Sequence, residues 1–220
     1  NIFNDILFPS LSKLKNDREK IIRAYFQSKQ LIAMVAFPIM TLVAFNAEII
    51  ISFVFGDKWI EAIPILKILC FAGAFQSISQ FGSAIFNSIG RPEKSIYLAI
   101  VRSFMTVVAI IGGSYYGILA VAYLLLLTKI LNWFIILIAI RLEISYDFYN
   151  IWKYLKGTII CIIGLSISEV IFENNLYFDI SSLLEIVIQI FLALVIIHSF
   201  YKKVIRDLIT VIVHKTNVNT

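Results

Sequence analysis

Charge is scarce in this chain. Asp, Glu, Lys and Arg make up 15% of its residues, where soluble globular domains carry about 25%. Hydrophobic residues make up 60%, well above the roughly 45–50% of a soluble domain, and that excludes one. Cysteine is nearly absent. Cys70 and Cys161 lie far apart, each in an apolar run, so they read as small buried hydrophobes and exclude a disulfide framework or a thiolate metal centre. Histidine is as rare: His198 closes an apolar run, His214 lies in the tail, and neither has a ligand set or nucleophile near it in sequence. There is no Walker loop, no dinucleotide glycine motif and no pair of carboxylates at a useful spacing. The sequence therefore predicts neither an enzyme nor a metal or cofactor site. A basic start followed by a cleavage site is also lacking, and the first residue is Asn1 rather than Met. Asn1–Pro9 looks like the end of another apolar helix, so the chain is expected to be the C-terminal part of a longer protein.

What the chain does have is long apolar runs. Crossing the roughly 30 Å hydrocarbon core takes about 20 helical residues. Lipid offers no hydrogen bonds to a bare backbone, so a spanning run is helical or belongs to a closed barrel. Barrel strands would be short and alternating, whereas these runs are long and apolar on most faces. Six spans are read: Leu31–Phe55, Ala62–Ile89, Ile96–Tyr115, Ile118–Ile140, Leu155–Phe172 and Leu183–Tyr201. The fold class is an all-α, polytopic transmembrane helix bundle. The second span is long enough to tilt or to extend beyond the bilayer.

The basic residues sort by loop. Lys13, Lys15, Arg18, Lys20, Arg23 and Lys29 precede the first span, Arg91 and Lys94 follow the second, Arg141, Lys153 and Lys156 follow the fourth, and Lys202, Lys203, Arg206 and Lys215 fill the tail. Those segments hold fifteen of the nineteen basic residues, while the alternate loops hold Lys58 alone. The positive-inside rule then makes both ends cytoplasmic. This pattern also accounts for the net charge of +5 as topology rather than as a nucleic-acid-binding signal. The chain divides into residues 1–30, the end of a preceding helix plus a basic cytoplasmic loop; 31–141, four spans; 142–201, two more; and 202–220, a basic tail. Within the first part, Asn16–Gln30 is too polar to span. It reads as an amphipathic helix on the inner leaflet, with Ile21, Ile22, Tyr25 and Phe26 on its apolar side. Trp59, Tyr115 and Tyr116 suit the outer aromatic belt, Trp152 and Tyr201 the inner one.

Three cations remain inside spans: Lys67, Arg102 and Lys129. Lys129 lies roughly 16 Å from the outer end of its span, near the midplane, with Asn132 on the same face. A lysine at that depth faces a bundle interior or wet cavity and marks a pathway, or it pairs with a structural acid. Arg102, nearer the cytoplasmic side, is either a cavity residue or an anchor that snorkels to headgroups. Lys67 reads as an outer anchor. In the second span Gly73, Gln76, Gln80, Ser83 and Asn87 follow steps of three and four and share one face. Such a stripe either bonds neighbouring helices or lines an aqueous cavity. In the first span Thr41, Glu48 and Ser52 share a face and Pro38 is expected to kink the helix. Glu48 is either a cation-coupling carboxylate or an interfacial acid, the latter favoured by its shallow depth.

The stretch from Phe55 to Cys70, with Gly56, Trp59, Ala62, Pro64, Leu66 and Leu69 at the matching positions, resembles the bacterial polysaccharide transporter (O-antigen flippase) family. That family lies in the multidrug/oligosaccharidyl-lipid/polysaccharide exporter superfamily. Pro9-Ser10-Leu11-Ser12, Gly90-Arg91-Pro92, and Gly117-Ile118 through Val121-Ala122 resemble further family motifs, so the resemblance covers about Phe8–Arg141. It implies the C-terminal lobe of a MATE-like, two-lobe transporter in the bacterial cytoplasmic membrane, with two additional helices and the N-terminal lobe missing. The implied activity is translocation of a polyprenyl-diphosphate-linked oligosaccharide by alternating access without ATP. Lys129 and Arg102 would meet the diphosphate, and Asn132 with the Gln76–Asn87 stripe the sugars. The family has no invariant lysine that maps onto Lys129.

The alternative is a cation-coupled (H+ or Na+) small-molecule exporter of the same superfamily, for which Glu48 is the available carboxylate. A polymerase or ligase would carry a long polar outer loop, and the outer loops here are short. A membrane scaffold would leave a midplane lysine as an unexplained cost.

Overall fold

The computed structural model describes residues 18–79 and 82–144, together with 159, 163, 187–191, 193–195 and 198. The described residues are helical apart from short turns. The elements are α1 (Arg18–Phe45), α2 (Ala47–Val54), a 3-10 turn (Asp57–Ala62), α3 (Ile63–Ser79), α4 (Gly82–Ser88), α5 (Pro92–Ser114) and α6 (Ile118–Ile144). Four stretches are long and apolar enough to cross a membrane: Tyr25–Phe45, Asp57–Ser79, Pro92–Ser114 and Ile118–Glu143. These correspond to the first four spans expected from the sequence. The fifth and sixth, with Trp152, Tyr201 and the basic tail, lie largely outside the described residues.

Helix α3 packs between α1 and α6, and α6 in turn packs against α5. Large side chains on the outward faces, such as Ile96, Ile100, Phe104, Ile111 and Leu142, are exposed. An exterior of that kind is stable only in lipid, where packing rather than hydrophobicity holds helices together. Two apolar clusters lie inside. Ala33, Phe37, Ala74 and Ile78 form one. A chain of edge-to-face rings ties it together, Phe37 to Phe75 at 5.5 Å and Phe75 to Trp133 at 6.1 Å between centroids. The other joins Tyr25 and Phe26 to Ile85, Phe86, Ile136, Leu137 and Ile140.

The second cluster corrects the sequence reading of Asn16–Gln30 as a separate helix lying on the membrane surface. From Arg18 one helix runs straight through Leu31, and Tyr25 and Phe26 are buried in the bundle. No glycine or proline interrupts the segment before Pro38, so nothing local stops the helix. Its apolar side meets α4 and α6 instead of lipid. The helix also continues through Pro38; the interruption falls at Asn46. There the Asn46 side chain donates to the Leu42 carbonyl at 2.9 Å and to Gln189 Oε1 at 3.1 Å. Gln189, in the sixth expected span, is fully buried.

The corner between α5 and α6 depends on two glycines. Gly117 has φ of 98°, a left-handed conformation that costs a residue with a Cβ. At Gly113 a Cβ would lie 2.8 Å from the Val121 backbone, so only glycine lets the two helices approach this closely. Pro92 opens α5 at its first turn, where its missing N–H breaks no helical bond.

Candidate functional site

The start of α5 at Pro92 moves Arg102 deeper than the sequence reading had it. Arg102 lies near the middle of the helix, roughly 15 Å from the nearer end, too far in to reach headgroups without effort. It lines a pocket between α3, α4, α5 and α6 together with Ser79, Gly82, Ser95, Leu98 and Asn132. The cavity between them has a volume of about 20 Å³, far below the usual 300–1,000 Å³ of small-molecule sites. In this conformation it has room for a group the size of a water molecule, and a larger ligand needs the helices to move apart. Asn132 is 4% exposed. The Ser79 hydroxyl donates to the Phe75 carbonyl at 2.8 Å, which leaves its oxygen as an acceptor toward the pocket.

Lys129 does not line this pocket; it stands one turn from Asn132 on α6, partly buried, and near enough to Arg102 for the two positive charges to repel. Among the described residues neither cation has a carboxylate within 4.0 Å. An unpaired pair of like charges at mid-helix depth raises the energy of the empty pocket and favours an anion in it.

The other expected site residues fall elsewhere. Gln76 and Asn87 are exposed and do not line this pocket. Ser79, which does, is turned about 60° around the helix from Gln76. Gln80 lies outside the described residues, and the Ser83 side chain is likewise outside them. Glu48 is exposed and bonded to Lys67 at 3.3 Å. That pair fits an interfacial acid neutralised by its anchor lysine, not a deep coupling carboxylate.

Other polar groups were not singled out from sequence. Arg91 and Lys94 both pair with Glu143, Arg91 at 3.4 Å, and so tie the start of α5 to the end of α6. The carboxylate is only 16% exposed. Lys29, grouped by sequence with the topology-setting loop residues, is 7% exposed. Its ammonium sits 4.7 Å from the Tyr25 ring centroid, and among the described residues neither that ammonium nor the Tyr25 hydroxyl has a hydrogen-bond partner. No group of three metal-binding side chains occurs among the described residues.

Fold and site thus define a polytopic helical membrane protein with a small, cationic intramembrane pocket. Residues 1–64 match the polysaccharide biosynthesis protein family. The chain is 27% identical over 132 residues to the lipopolysaccharide biosynthesis protein WzxC of Escherichia coli, an alignment covering 60% of this chain and 27% of that protein. To the teichuronic acid biosynthesis protein TuaB of Bacillus subtilis it is 24% identical over 160 residues, 69% of this chain and 32% of that one. To a membrane protein in the cps region of Klebsiella pneumoniae it is 29% identical over 101 residues, 46% and 21% of the respective chains. The chain therefore spans a third or less of the length of these relatives. No solved structure matches it. These similarities bear out the resemblance to the polysaccharide transporter family read from the motifs.

Proposed function

We propose that this chain is part of a transporter that moves a polyprenyl-diphosphate-linked oligosaccharide across the bacterial cytoplasmic membrane, from the inner to the outer leaflet, by alternating access. It acts as a transporter and not as an enzyme. The observation that carries the reading is the pair Arg102 and Lys129, two cations beside Asn132 in the membrane interior with no carboxylate partner among the described residues. A diphosphate is the group such a pair of cations suits, once the helices part to admit it. The planar guanidinium offers parallel N–H donors to phosphate oxygens, and the lysine adds a compact charge. With water excluded, those contacts are stronger than at the surface. The sugars, too large for the pocket, would run along the neighbouring face that carries Gln76 and Asn87. The N-terminal lobe of the same protein would close the cavity from the other side.

The basic loops orient the bundle, with both chain ends in the cytoplasm. The cation-coupled alternative finds no support in Glu48, which is exposed and ion-paired. The test uses the full-length protein. Lys129→Ala and Arg102→Ala are each expected to abolish export of surface polysaccharide while membrane insertion and abundance stay normal. Unchanged export in both would overturn the proposal. For orientation, single cysteines placed in the Gly56–Glu61 loop should label from outside intact cells and those at Lys13–Lys29 should not.

A further inference from the structure

Lys29 and Tyr25 lie away from the Arg102 pocket, one helical turn apart on α1. Lys29 is 7% exposed and Tyr25 2%. The two side chains touch, ammonium over ring at 4.7 Å, yet neither polar atom has a hydrogen-bond partner among the described residues. The residues clustered with Tyr25 are apolar: Phe26, Ile85, Phe86, Ile136, Leu137 and Ile140. Buried polar groups are otherwise almost always satisfied, and a buried charge with no counter-charge is among the costliest arrangements a protein can hold. Two adjacent orphans, both able to donate and one of them cationic, call for a single anionic acceptor. The bundle places them toward the end where Arg91 and Lys94 meet Glu143, the end that the basic loops assign to the inner leaflet.

We propose that Lys29 and Tyr25 form a second anion site, separate from the Arg102 pocket, that takes the phosphate of a membrane lipid. The ammonium and the phenolic hydroxyl each donate to one phosphate oxygen, while the apolar cluster packs the adjoining lipid chain. The site is closed in this conformation. The flexible lysine stem supplies the movement that admits the ligand, since rotation about its bonds carries the ammonium toward the headgroup region. A phospholipid and a polyprenyl diphosphate present the same oxygens, and the experiment separates them.

The full-length protein in dodecyl maltoside micelles, which contain no phosphate, is titrated with phosphatidylglycerol or with geranylgeranyl diphosphate. Binding is read by native mass spectrometry and by thermal unfolding. Lys29→Met is expected to weaken binding at this site about tenfold to a hundredfold, the range of a charge-assisted hydrogen bond, and Tyr25→Phe to weaken it less. A Lys29-dependent response to phosphatidylglycerol identifies a headgroup; one confined to geranylgeranyl diphosphate identifies the polyprenyl carrier. Binding of both lipids by Lys29→Met as by the wild type would overturn the proposal. Stability without added lipid gives an independent check. Removing an orphan charge should raise the melting temperature, and a Lys29→Met protein that melts lower than wild type would mean that a carboxylate elsewhere in the protein already serves the lysine, which also overturns the site. Lys129→Ala separates this proposal from the pocket reading. Lys29-dependent binding should persist in it, and its loss there would reduce the two sites to one.

Discussion

Lys67 and Lys129 are both lysines within apolar spans, and the structure treats them oppositely. Lys67 lies near a helix end, substantially exposed, and has Glu48 at 3.3 Å. Lys129 lies deep on α6 within electrostatic reach of Arg102, with no carboxylate at hand among the described residues. Energetics alone would arrange them the other way. An exposed pair contributes about 0–1 kcal/mol, whereas a lone cation at the centre of a membrane helix costs about 2.5–3.5 kcal/mol on insertion scales. Among the described residues the chain is neutralised where that matters least and left charged where it matters most. A structural role explains Lys67. For Lys129 the proposed anionic ligand would supply the missing charge.

The sharpest way to break this comparison is to remove each lysine from the full-length protein and follow export. Lys129→Ala should lower export of surface polysaccharide by roughly a hundredfold or more, the loss expected for about 3 kcal/mol of charge-assisted contact. Lys67→Ala should leave it near wild type. Equal effects of the two would remove the distinction between site and anchor. The next largest effect is structural and sits at the corner that sets α5 against α6, and so Arg102 against Lys129. Gly113→Val puts a side chain into the Val121 backbone and should destabilise the bundle by about 1–3 kcal/mol, seen as a lower melting temperature in micelles. Wild-type stability would mean that the helices do not approach as described.

The four spanning helices were legible because their signals are local, while the start of α1, its break at Asn46 and the start of α5 at Pro92 differ from the expected bounds. Apolar length defines the spans, Pro92 opens α5, and Gly117 turns the corner into α6. Arg102, Lys129 and Asn132 were legible as candidates because a polar residue in an apolar run stands out by itself. What they face was not. The Gln76–Asn87 stripe has helical periodicity, but periodicity names a face and not its neighbour, and the pocket opened on the adjacent face at Ser79 and Gly82. Lys29 was hidden for the opposite reason: in a stretch rich in lysine and arginine it resembled its topology-setting neighbours, and only the packing of Tyr25 and Phe26 into the bundle shows it buried. Glu143 and Gln189 owe their roles to partners far off in the chain, Arg91 with Lys94 and Asn46 respectively, which no local pattern encodes.

A smaller effect tests whether the added helices belong to the same packed unit. Asn46 donates to Gln189 across the bundle at 3.1 Å, and Gln189 is fully buried. Asn46→Leu should cost about 0.5–1.5 kcal/mol, the range of one interhelical hydrogen bond in membrane proteins. A double-mutant cycle with Gln189→Leu isolates the pair: if the two amides act on each other, the second substitution costs less in the Asn46→Leu background than alone. Additive effects would mean that the sixth helix is held by other contacts. The smallest effect belongs to the exposed pair. Glu48→Gln should change stability by less than about 1 kcal/mol and leave export intact, since removing that carboxylate frees only a lysine that already reaches the surface. A large loss of export from Glu48→Gln would reverse the comparison, making the paired end the functional one and reviving cation coupling at Glu48.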